Sequence, residues 1–76
     1  MKKSDADNIE LCKKDIEAVR ILLSNTVARL RKLKKAFPKD DAGSRAEFDT
    51  AICELEEAWG SAEDASVAIK YATGEL

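Results

Sequence analysis

Two stretches of the sequence place apolar residues at alternating spacings of three and four, the pattern of helices that pack along one stripe. The first stretch runs from Ile9 to Phe37 and the second from Phe48 to Thr73. Between them lies Pro38, which disfavours the α conformation in the residue before it and stops a helix. The stripes are Ile9, Cys12, Ile16, Val19, Leu23, Thr26, Leu30, Leu33 and Phe37, then Phe48, Ile52, Leu55, Trp59, Ala62, Ser66, Ile69 and Thr73.

These stripes predict an all-α fold, an antiparallel two-helix hairpin of the coiled-coil type. We expect helix 1 over about residues 5–37, a turn over 38–43 and helix 2 over about 44–73, within a single domain of 76 residues. A chain of this length rarely builds a core worth more than about 3–5 kcal/mol. We therefore expect the hairpin to be completed by a partner protein or by homodimerisation.

Local signals define the ends of helix 2 and the register of the pair. Ser44 and Glu47 have the spacing of a capping box at its start. Gly74 is expected to end it, with Leu76 contacting the last turn. Folding the stripes about the turn places Leu23 opposite Trp59 without any insertion. In this register the two cysteines lie far apart, so we expect both to be reduced.

The side-chain inventory argues against catalysis. The chain has no histidine, which removes the commonest general base and metal ligand, and two isolated cysteines do not form a zinc site. We therefore expect no enzymatic activity, no cofactor and no bound metal. The longest strongly apolar run, Ile21 to Leu23, is far shorter than a membrane span. Polar residues from Ser4 onwards replace the apolar part of a signal peptide, so a cytoplasmic location is expected.

Apolar residues outside the two stripes predict a surface for a second protein. In addition, alanines at 51, 58, 65 and 72 occupy one heptad position beside the second stripe, where small side chains let another helix approach closely. The residues outside the stripes are Leu11, Ala18, Ile21, Leu22 and Val27 on helix 1, and Val67, Ala68 and Tyr71 on helix 2.

Charge is divided unequally between the helices. Residues 9–37 carry eight Lys and Arg against three acids, whereas residues 44–76 carry two against eight, within a net charge of −2. One interpretation is that the cations lie beside the acids of helix 2 and favour the helix C-terminus. The alternative is a homodimeric four-helix bundle that binds structured RNA. The residues for that alternative are Arg29, Arg31, Lys32 and Lys35.

The run from Ala68 to Leu76, together with Lys32-Leu33-Lys34-Lys35 before the turn, resembles the small co-chaperones of type III secretion needle subunits. Members of that family are short helical hairpins of the bacterial cytoplasm, and one branch ends in a similar apolar-Tyr-x-x-Gly-acid-Leu segment. The resemblance implies binding to a helical-repeat chaperone that keeps the needle subunit monomeric. It would place Ile69 and Tyr71 near that partner. A small inhibitor that clamps a host protein fits the same hairpin.

Overall fold

The computed structural model describes residues 2–74 and consists of two antiparallel helices joined by a short turn. Helix α1 spans Lys3–Ala36 and helix α2 spans Ala42–Thr73. The predicted all-α hairpin is confirmed. The molecule is a rod of 59 × 16 × 15 Å, and its radius of gyration of 17.3 Å exceeds the roughly 11 Å of a compact chain of this length. Most residues consequently lie close to solvent.

The stripe predicted for α2 is confirmed as the line of contact with α1, which we call the seam. All its members are at least half-buried, and Ile52 is only 7% exposed. Five members of the α1 stripe, spaced seven residues apart from Ile9 to Phe37, are also half-buried. These rows form the middle of the interface between the helices.

Three of the four members of the other row predicted for the α1 seam are exposed, and only Thr26 is half-buried. Val19 and Leu33 are 49% and 51% exposed, and Cys12 is exposed as well. Val27, which we expected outside the seam, is instead buried at 8% exposure. The row that faces α2 is Lys13, Arg20, Val27 and Lys34, one position further along the chain.

A row rich in cations can face α2 because Lys and Arg cover apolar surface with their aliphatic stems while their charged ends stay in water. The Arg20 guanidinium lies 4.5 Å from the centre of the Trp59 ring and also contacts Glu63. The Nζ of Lys34 reaches Asp49 across the seam. Arg20 and Lys34 thus lie over the seam and contact partners on α2.

The start of α2 differs from the predicted capping box. Asp41 is the N-cap residue, and its carboxylate accepts a hydrogen bond from the Ser44 backbone N–H at 3.2 Å. Ser44 therefore lies inside the first turn. Arg45 donates from one guanidinium nitrogen to the carbonyl oxygens of Lys34 and Phe37, at 3.1 and 3.2 Å. These bonds tie the beginning of α2 to the end of α1.

The remaining helix ends agree with the sequence in part. Helix α1 ends at Ala36, before Pro38, and begins at Lys3 without a side-chain cap, slightly earlier than expected. Gly74 ends α2 in the left-handed conformation at φ 72°, and its N–H donates to the Lys70 and Tyr71 carbonyls. This ending is the predicted glycine cap. The expected contact of Leu76 lies outside the described residues.

Candidate protein-binding surface

Ion pairs between the helices mark one side of the hairpin, which we call the charged side. It comprises Arg20, Arg31 and Lys34 of α1 with Asp49, Glu56 and Glu63 of α2. The three acids are spaced seven residues apart, so they form one row along α2. A guanidinium nitrogen of Arg20 lies 3.6 Å from a carboxylate oxygen of Glu63, and one of Arg31 lies 3.4 Å from a carboxylate oxygen of Glu56. The paired side chains are partly exposed. Exposed pairs of this kind contribute roughly 0–1 kcal/mol each.

The opposite side of the hairpin, which we call the apolar side, carries no such pairs. The α1 row with Cys12, Val19 and Leu33 lies on this side. Heptad spacing sets it along one edge of the central stripe of α1, and the row with Arg20 and Lys34 lies along the other edge. Leu22, 62% exposed, lies beside the row with Val19. On α2 the matching row is alanine at four successive heptads, three of them exposed. The apolar side comprises Cys12, Val19, Leu22 and Leu33 on α1, and Ala51, Ala58, Ala65, Ala68 and Ala72 on α2.

The structure distributes the sequence-predicted partner residues over several faces. Leu22 and Ala68 lie on the apolar side, and Ile69 is half-buried in the seam. The others are exposed, but their heptad positions place them elsewhere. Leu11, Ala18 and Tyr71 lie on the outer faces of the helices, and Ile21 and Val67 lie towards the charged side.

Sequence reasoning therefore missed the large members of the apolar side, although it identified the alanine row. Val19 and Leu33 were assigned to the seam because they are apolar and correctly spaced. The signal that contradicts this assignment is the equally regular row that contains Arg20 and Lys34, both of which pair with acids of α2. The position of this row is apparent only when its ion pairs with the other helix are taken into account.

The residues predicted for RNA binding are only partly available. Arg31 pairs with Glu56, and the neighbouring Lys34 pairs with Asp49. Arg29, Lys32 and Lys35 are exposed and form no ion pair within residues 2–74. Two of the five cations in the basic segment before the turn are thus paired with acids of α2.

Both cysteines are free and exposed. The Sγ atom of Cys53 lies 3.7 Å from a carboxylate oxygen of Glu57. The negative charge of Glu57 is the main cause that raises the pKa of the Cys53 thiol, and Glu54 and Glu56 raise it further. A thiol held in its neutral form is a poor nucleophile.

The described part of the chain holds neither a metal-binding cluster nor a membrane-spanning helix. Residues 2–74 contain no cluster of three or more His, Cys, Asp or Glu side chains that could hold a metal ion. Neither helix has, over its described length, a stretch apolar enough to cross a bilayer.

Comparison with family models, curated proteins and solved structures returned no match to this chain. The surface itself is therefore the basis for a function.

Proposed function

We propose that this protein is a non-catalytic binding partner of another helical protein, which it contacts through its apolar side. The observation that carries this proposal is the exposure of Val19, Leu22 and Leu33 beside a row of alanines on α2. Large side chains next to a flat strip of small ones form a groove suited to an amphipathic helix. Within residues 2–74 two apolar side chains are buried, so the hairpin gains stability when such a helix covers it.

In its specific form, we propose that the protein is a co-chaperone of a type III secretion system in the bacterial cytoplasm. It would bind a helical-repeat chaperone and help it keep the needle subunit monomeric. Support comes from the C-terminal run, in which Tyr71 is 71% exposed and Gly74 caps α2. The last two residues of that run, Glu75 and Leu76, lie outside the described part of the chain. The mechanism needs shape and apolar area, both of which the hairpin offers.

The test is titration of the purified hairpin into the purified helical-repeat chaperone of a needle subunit, followed by calorimetry. We expect a 1:1 complex that is lost in the double variant Val19→Asp with Leu22→Asp, because both side chains are exposed on the apolar side. The matched control is Ile21→Asp, because Ile21 is 54% exposed but faces away from the apolar side. Unchanged binding by the double variant, or equal loss in the control, would refute the proposed surface.

The alternative function, recognition of structured RNA, has one favourable observation: Arg29, Lys32 and Lys35 are exposed and form no ion pair within residues 2–74. Three phosphate contacts predict weak binding that falls steeply with salt. Retention of a labelled RNA hairpin at ~150 mM salt, lost when these three residues are changed to Ser, would favour this alternative over the co-chaperone.

A further inference from the structure

The hairpin exposes more surface than a folded chain of its mass normally does. Its accessible area is 5723 Å², whereas a compact monomer of 8.4 kDa exposes about 4,600 Å². The difference, about 1,100 Å², is comparable with the roughly 800 Å² that each partner buries in a standard interface. One further protein surface of ordinary size would therefore bring the chain to normal burial.

The shape of the apolar side restricts how two identical copies could cover each other. Its large residues are all on α1 and its small ones on α2. If α1 met α1, large side chains would oppose each other while the alanines faced a gap, which packs poorly. A two-fold axis parallel to the long axis of the rod instead sets α1 of each copy on α2 of the other. That arrangement packs large against small along both helices and leaves the two turns at the same end.

Charge selects the same arrangement. Setting α1 on α2 of the other copy places opposite charges together at the edge of the apolar side. One pair is specified by the register. Lys34 lies level with Asp49, and the helices are antiparallel. Arg29, five residues before Lys34, therefore lies level with Glu54, five residues after Asp49. Heptad spacing puts both residues at the edge of the apolar side, and neither forms an ion pair within residues 2–74.

We propose that two copies of this chain pair across their apolar sides, with the two-fold axis along the rod and the turns together. The product is a four-helix bundle in which Arg29 of each copy meets Glu54 of the other. The dimer covers the surface that a foreign helix would use, so a partner protein must displace the second copy. Dimerisation is tested on the chain alone and does not rest on the proposed function.

The experiment is sedimentation equilibrium of the full chain across dilution, with helicity followed by circular dichroism at the same concentrations. We expect a reversible dimer, weakened about tenfold by Arg29→Glu and by Glu54→Arg, because each change creates two like-charge contacts. The double variant with both changes restores the opposite charges and is expected to recover most of the affinity. Lys32→Glu is the control, since it makes the same charge change on an outer face and is expected to leave the dissociation constant within about twofold.

A monomer at all concentrations would overturn the proposal, and so would a dimer in which the double variant shows no recovery.

A second measurement tests the packing of α1 on α2 directly. In a background with both native cysteines changed to Ser, Leu22→Cys chains are mixed with Ser61→Cys chains and oxidised. Disulfide-linked heterodimers are expected to exceed both homodimers, because positions 22 and 61 lie at the same level. A predominance of homodimers linked through position 22 would show α1 on α1 and refute the arrangement.

Discussion

Truncation of isoleucine to alanine is expected to cost much more stability at Ile52, in the seam, than at Ile21, which lies towards the charged side. Ile52 is 7% exposed and Ile21 is 54% exposed, and both lie within helices. Changing Ile to Ala removes three carbon atoms, worth about 0.8 kcal/mol each when fully buried. At Ile52 the loss is about 2.2 kcal/mol, and a small residual cavity brings it to about 2–3 kcal/mol. At Ile21 about half of that transfer energy is at stake. The better helix propensity of Ala offsets roughly 0.5 kcal/mol at both positions, so the expected loss remains about 2–3 kcal/mol at Ile52 once the cavity is included and falls to about 0.5 kcal/mol at Ile21.

We therefore expect Ile52→Ala to lower the free energy of unfolding by about 2–3 kcal/mol and Ile21→Ala by about 0.5 kcal/mol. A chain with about 4 kcal/mol of stability would retain 1–2 kcal/mol after the first change, so several per cent or more would be unfolded without denaturant. The assay is urea unfolding followed by circular dichroism, at the lowest workable concentration so that association does not contribute. Equal losses at the two positions would show that the seam described here is not the line of contact.

Three other substitutions test single features of the hairpin. Arg45→Gln removes the guanidinium that bonds the last carbonyls of α1, and urea unfolding should show a loss of about 1–2 kcal/mol, partly retained by Arg45→Lys. Gly60→Ala should add up to about 1 kcal/mol to the free energy of unfolding, since a Cβ there meets open space, and should raise the melting temperature. Gly74→Ala, at φ 72°, should lower the free energy of unfolding by a similar amount. In a Cys12→Ser background at pH 8, Glu57→Gln should speed alkylation of Cys53 by iodoacetamide. The carboxylate raises the pKa of that thiol and so lowers its thiolate fraction, and added salt should narrow the difference.

The α2 seam could be predicted from the sequence because its neighbouring rows do not compete with it. Beside the stripe from Phe48 to Thr73 lie a row that includes Asp49, Glu56 and Glu63 and a row of alanines. Neither has the apolar volume to replace the stripe. The hairpin topology could be predicted for a related reason, since Pro38 ends α1 and the two stripes match in length.

The rotation of α1 could not be predicted in the same way, because two rows compete to flank its central stripe. Hydropathy favours the row with Val19 and Leu33, while the structure selects the row with Arg20 and Lys34. The choice depends on acids that lie far away in the sequence, at Asp49 and Glu63. A period within one helix carries no information about such pairs, and the partner residues predicted from that period consequently lie on several faces of the hairpin. The predicted N-cap failed similarly, since both Asp41 and Ser44 can cap a helix and only the turn geometry decides between them.

The selected rotation is also the one that lets an assembled form bury the most apolar surface. With the cationic row on the seam, the stems of Arg20 and Lys34 cover the interior while their charges stay wet on the charged side. Val19, Leu22 and Leu33 then remain available to pack against a second protein. The opposite rotation would bury Val19 and Leu33 within one hairpin and turn the cations away from the α2 acids. A partner helix on that side would then meet charge in place of apolar side chains, so the weak core of the single hairpin and the exposure of its apolar side follow from the same choice of row.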